Sequence, residues 1–209
     1  MAFDIAFRNT DDNAFINTDD INWYGLTVSV DYDASIIRYY CIITGANDSE
    51  SDLTVPISSF SARRRNGDPS YLQVVIPSLD DIDNIIDRGN GTIKIRMAFE
   101  VEGEQVYIET LIETDSIESI RYDEGSTNKT ITLVGYVTES FDGKSVDVSG
   151  ATYKSVDDGV YRYRFARPTI GLDPGDTVTV TDDSDTEFGV NTISYSVSAA
   201  SCQIELESV

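Results

Sequence analysis

Residues Pro56–Pro77 read PISSFSARRRNGDPSYLQVVIP. The stretch predicts one long β-hairpin. Ile57, Phe60 and Ala62 supply apolar positions on the outgoing strand, and Tyr71, Val74, Val75 and Ile76 supply them on the return. Between the two runs lies Asn66-Gly67-Asp68-Pro69. Asn-Gly is a strong hairpin signal because both residues accept positive φ. Pro56 and Pro77 bracket the unit, since proline lacks the N–H that a central ladder needs. Arg63, Arg64 and Arg65 lead into the turn and make up three of the chain's 15 basic residues.

Upstream of the hairpin, Leu26, Val28 and Val30 alternate with polar residues, the period of two of a half-buried strand. Ile36–Thr44, IIRYYCIIT, is almost unbroken in β-branched and aromatic residues and predicts a central strand. Residues 1–23 read as an arm. The unit Asn-Thr-Asp-Asp-x-x-aromatic occurs twice there, and Phe15 and Trp23 are its candidate anchors on a neighbouring subunit. The alternative is a tail packed on its own domain.

Downstream, Ser78–Arg88 carries a helical pattern, expected over 79–88. Ser78 is a fair N-cap, Asp80 and Asp81 suit the first turn, and Leu79, Ile82, Ile85 and Ile86 fall on one face. Asn90-Gly91 then turns the chain into Thr92–Val101, and strands follow at Gln105–Glu113, Ser116–Tyr122 and Lys129–Thr138. Composition shifts near Phe141-Asp142-Gly143. Five short strands are expected beyond it, at Thr152–Val156, Val160–Ala166, Thr177–Thr181, Thr192–Ser198 and Gln203–Glu207. The fold class is therefore mainly β: an arm (1–23), a β-sheet domain with one short helix (24–140) and a small β-barrel-like or sandwich domain (141–209). A single continuous sheet is the alternative.

Thirty-seven acidic residues against 15 basic ones leave a net charge of −22. So acidic a surface repels nucleic acid and anionic membranes, so neither is expected as a partner. No stretch approaches the ~20 apolar residues of a membrane span, and the first residues show no secretion signal. Cys41 and Cys202 lie in apolar runs and are expected as buried free thiols.

The chain contains no histidine. That removes Ser-His-Asp and Cys-His catalysis and most zinc sites. A glycosidase would need two carboxylates about 5–10 Å apart in a sugar-lined cleft, and a single tryptophan is poor provision for stacking sugars. No enzymatic activity and no cofactor are expected. Asp182, Asp183, Asp185 and Glu187 crowd one loop whose hard oxygens suit Ca2+. As an EF-hand the loop fails, because Phe188 stands where glycine should. The alternative is a solvated acidic loop.

The hairpin resembles one found in structural proteins of long-tailed bacteriophages, as does Ile120–Tyr136, IRYDEGSTNKTITLVGY. The end of the chain, ARPTIGLDPGDTVTV (166–180) and FGVNTISYSVSAASCQIELE (188–207), is similar to the closing β-barrel of phage baseplate hub and hub-associated proteins. The resemblance covers about half the chain in short patches. It implies a non-enzymatic virion protein of the tail tip or baseplate, assembled in the host cytoplasm, whose partners are other tail proteins and copies of itself. In that setting Arg63, Arg64 and Arg65, with Asn66 and Gly67, form an interface device whose guanidinium forks meet carboxylates on a neighbour; the alternative is a solvated hairpin tip. A carbohydrate- or receptor-binding module of the same tip is the second reading, and a carboxylate-based glycan hydrolase the third. Tyr161, Tyr163 and Phe165 discriminate between the first two. Buried, they mark a structural module; lining an open groove, they mark a glycan site.

Overall fold

The computed structural model describes residues 36–45, 51–77, 82–101, 104–124, 129–184 and 186–209. The N-terminal arm with Phe15 and Trp23, the strand at 24–30, the first turn of the expected helix and Asp185 lie outside the described residues. The chain divides into two units, Met1–Tyr39 with Met97–Ile108, and Tyr40–Arg96 with Glu109–Val209. In the first, Arg38 pairs with Glu100. The hairpin at 59–76 belongs to the second.

Fourteen strands and one short helix, α1 (Ile82–Asp87), make up the described elements. The fold is mainly β, as expected. A four-stranded sheet has the order β2-β1-β5-β6, from β1 (Ile36–Thr44), β2 (Leu53–Val55), β5 (Thr92–Val101) and β6 (Glu104–Glu113). The larger sheet runs β10-β11-β14-β13-β3-β4-β8-β7, with β12 attached at β13 and β9 in turn paired with β12. Its hairpin strands are β3 (Ser59–Arg65) and β4 (Pro69–Ile76). β7 (Ser116–Glu124) and β8 (Lys129–Thr138) extend it on one side. On the other side come β9 (Ser145–Val148), β10 (Ala151–Asp157), β11 (Val160–Phe165), β12 (Thr177–Val180), β13 (Thr186–Ser198) and β14 (Ser201–Ser208).

Strands from both sides of residue 141 share this sheet: β13 pairs with β3 through Tyr195↔Ala62 and Val197↔Phe60. The sheet therefore continues through the expected domain boundary. The C-terminal strands do not close into a barrel among the described residues. β13 explains how they join. Its first residues pair with β12, a register shift follows between Val190 and Thr192, and the rest lies between β3 and β14. A bulge of this kind re-aims a strand so that it can serve two neighbours in turn.

The sheet has one buried face. β4 alternates strictly, with Leu72, Val74 and Ile76 inward, and Ile131, Leu133, Ile193, Ile204 and Leu206 join them from paired strands. Fully burying each such side chain stabilises by roughly 1.5–3 kcal/mol. On α1, Ile85 is buried while Ile86 is half exposed, so the expected apolar face is narrower than its four residues implied. Cys41 is buried, and burial raises its thiol to about 12, whereas Cys202 is only half-buried.

Candidate interaction site around the arginine hairpin

Alternation along β3 separates the three arginines. Arg64 is in phase with Phe60 and Ala62 and points inward, at 3% exposure; Arg63 and Arg65 point outward. This corrects the expectation of a three-arginine patch. Arg64 Nη2 donates to Asp173 Oδ1 at 2.8 Å and Nη1 to the Leu172 carbonyl at 3.4 Å. Its Nε faces Glu139 Oε2 at 3.8 Å, close enough for charge attraction and too far for a hydrogen bond. The guanidinium carbon lies 4.8 Å from the centroid of the Phe141 ring. Tyr195 lies against the same group, and burial pushes its phenol up to about 12.

The turn residues serve the same fastening. Only Gly67 takes positive φ (73°), so the expected Asn-Gly pairing of two left-handed residues does not form. Asn66 instead holds residue 141 from both sides: its Nδ2 donates to the Phe141 carbonyl at 3.3 Å and its Oδ1 accepts the Phe141 N–H at 3.0 Å. Gly67 N–H donates to the Glu139 carbonyl at 2.8 Å. Asn66, Gly67 and Arg64 thus pin the 139–141 and 172–173 segments onto the hairpin. The pair that does adopt two left-handed residues is Asp158-Gly159 (φ 49° and 83°), between β10 and β11.

Nearby carboxyls are perturbed. Burial raises Glu109, and the Gly171 N–H that it accepts at 3.0 Å offsets this only partly. Burial also raises Glu139, against the lowering effect of Arg64. A carboxyl raised on folding binds its proton more tightly in the native state, so stability falls as pH rises through that window. Thermal midpoints should therefore climb as pH drops from neutral through the upper carboxylate range, and Glu109→Gln should flatten that slope. An unchanged slope in scanning calorimetry would remove Glu109 from the account. Asp183 works in the opposite sense. Lys154 and Tyr163 hold its carboxyl below the usual range, and its contribution is lost as pH falls through the lowered value.

That Asp183 belongs to the loop considered for Ca2+. Its side chain accepts from Lys154 Nζ, the Tyr163 phenol and Thr186 Oγ1. Asp182 accepts the backbone N–H groups of Gly150 and Ala151, each at 3.0 Å. Glu187 is exposed on β13, and no group of three or more candidate ligands occurs among the described residues. Two of the four candidate ligands are therefore already engaged by in-chain donors. Of the aromatic row, Tyr163 and Phe165 are buried and Tyr161 is half-buried, and Tyr163 stacks on Phe188 at 5.4 Å and 4°. On the opposite face of β11, Arg162 and Arg164 pair with Glu207 at 2.9 Å and Glu205 at 2.6 Å.

The outward face of β13, β3, β4 and β8 has a composition of its own. Register places Ser194, Arg63, Tyr71 and Tyr136 in one cross-strand row, and Ser196, Ser61, Gln73 and Val134 in the next. Ser198, Ser59, Val75 and Thr132 form the third. No aspartate or glutamate stands in any of them. The Tyr71 and Tyr136 rings lie 5.6 Å apart. Among the described residues no carboxylate pairs with Arg63 or Arg65. Sequence reading missed Tyr71 and Tyr136 as surface features. The signal was alternate positions free of acid in an acid-rich chain, legible once the register was known.

No protein-family model and no curated protein matches the amino-acid sequence. Solved structures do match in fold. A tail protein from Neisseria meningitidis MC58 superposes with a TM-score of 0.52 at 7% identity, covering 82% of this chain and 96% of that one. The 43 kDa tail protein of prophage MuSo2 from Shewanella oneidensis gives 0.51 at 8%, covering 81% and 97%. A component of the E. coli type VI secretion system, described as structurally similar to the T4 bacteriophage tail proteins gp27 and gp5, gives 0.51 at 6%, covering 81% and 76%. The chain thus has the fold of phage tail proteins, the group to which its hairpin and closing-strand motifs pointed.

Proposed function

We propose that this chain is a non-enzymatic structural component of a tailed-phage particle, placed at the tail tip or baseplate, which works by joining subunits. The observation that carries the reading is a fold shared with a phage tail protein over 82% of the chain. Two features of the site support it. Two of the three rings that would have served as a sugar platform, Tyr163 and Phe165, are buried, and the half-buried Tyr161 stacks on Phe188, which weighs against the carbohydrate-binding reading. The acidic loop that would have offered carboxylates to Ca2+ spends Asp182 and Asp183 on in-chain donors.

A tagged copy produced in cells carrying its gene should copurify with tails and be labelled by immunogold at one tail end. Recovery of the chain only as free protein, with particles devoid of it, would sink the reading. Binding of the purified chain to host-surface glycans, abolished by substitution of exposed tyrosines, would move support to the receptor-binding alternative.

A further inference from the structure

We propose that the acid-free outward face of β13, β3, β4 and β8 docks a second copy of this chain, head to tail, through carboxylates on that copy's acidic surface. The proposal rests on the assembly reading above and deepens it by naming the surface and the occupant.

The first argument is composition by position. Thirty-seven of 209 residues are acidic, yet the three outward rows of four neighbouring strands carry none. Acidic side chains are depleted where protein meets protein, while tyrosine and arginine are enriched at the residues that dominate binding. Arg63, Tyr71 and Tyr136 stand in one row of this face. Around them lie short serine, threonine and valine side chains, which let another surface approach closely.

The second argument is charge. Arg64 is consumed inside the fold, and Glu205 and Glu207 are matched by Arg164 and Arg162. Arg63 and Arg65 are left as two guanidinium groups without a counter-charge among the described residues. A fork of this kind binds carboxylate in bidentate fashion. Two such faces would present arginine to arginine, so a symmetric face-to-face dimer is disfavoured. A copy of net charge −22 offers carboxylates over the rest of its surface. The complementary contact is therefore heterologous, the type that closes into a ring or continues as a filament. Overall repulsion between two acidic copies does not forbid it. At physiological ionic strength charges are screened beyond about 8 Å, so contacts at the interface outweigh distant charge.

Sedimentation velocity on the full purified chain at about 0.15 M salt tests the idea. The wild type should form concentration-dependent oligomers into the hundred-micromolar range. Arg63→Glu/Arg65→Glu should weaken that association about tenfold or more, with circular dichroism and thermal midpoint unchanged, because neither side chain has a described in-chain partner. A wild type that stays monomeric, or a variant that associates like it, overturns the proposal. A second arm does not depend on charge reversal. Arg63→Lys/Arg65→Lys supplies amines that a carbodiimide couples to carboxylates in contact. Coupled peptides joining isotopically light and heavy copies are expected; coupling within single copies only, or none, overturns the proposal. The particle-labelling experiment is independent, so a chain found in tails yet monomeric on its own would refute this inference alone.

Discussion

Arg64→Leu should lower the unfolding free energy by about 3 kcal/mol, the low end of what breaking a buried ion pair costs. Leucine would fill much of the space, so the loss is not chiefly a cavity. It comes from Asp173 and Glu139, which keep their charge and lose the guanidinium that faces them at 2.8 and 3.8 Å. Both carboxylates retain 27% side-chain exposure, and water recovers part of the penalty, which is why the estimate sits low in the range. Neighbouring positions supply the control. Arg63→Leu, one residue away and exposed, should stay within about 0.5 kcal/mol. Urea denaturation with an unchanged m-value reads both. Equal midpoints for the two variants would show that the inward clasp contributes nothing.

Gly91→Ala should be worse still, about 4 kcal/mol or more, or a chain that does not accumulate in folded form. A Cβ at this position would lie 1.7 Å from the Thr44 carbonyl oxygen and 3.1 Å from that of Arg88. Both obstacles are backbone, so no rotamer change relieves the overlap. The glycine is also held in place, since its N–H donates to Arg88 at 2.8 Å and its carbonyl accepts from Ile117 at 2.9 Å. Gly189→Ala is the matched comparison: its Cβ would meet only Val209, at 3.8 Å, an ordinary contact. Soluble yield and thermal midpoint should separate the two clearly. A Gly91→Ala protein as stable as the Gly189→Ala one would mean that the Thr44 approach is looser than described.

Several elements were legible from residue order. Ile36–Thr44, Thr92–Val101 and Lys129–Thr138 were bounded correctly because each is rich in β-branched and aromatic residues and is flanked by turn residues. The opposite facing of Arg63 and Arg64 was implicit in the alternation, and Arg64 is in phase with Phe60 and Ala62. What the alternation lacked was a reason to place a charge inside. That reason lies at Glu139 and Asp173, far along the chain, and proximity across such distances is not written in local pattern. β9 was missed because SVDV is short and pairs in parallel with β12, a partner that local sequence does not announce. β13 was shortened because Thr186–Asn191 contains Gly189 and Asn191 and reads as a turn. There a bulge, not a chain reversal, accounts for them.

The amino-acid order alone determined the mainly β class, the hairpin and its punctuation, the acidic surface and the absence of histidine chemistry. These depend on period-two alternation, turn residues and net charge, all local or additive properties. The tertiary structure alone decided which arginine is a fastener and which two remain outside, which carboxylates are already engaged, and which sheet face is free of acid. Those outcomes depend on register between strands distant in sequence, and register is fixed by packing of the whole sheet.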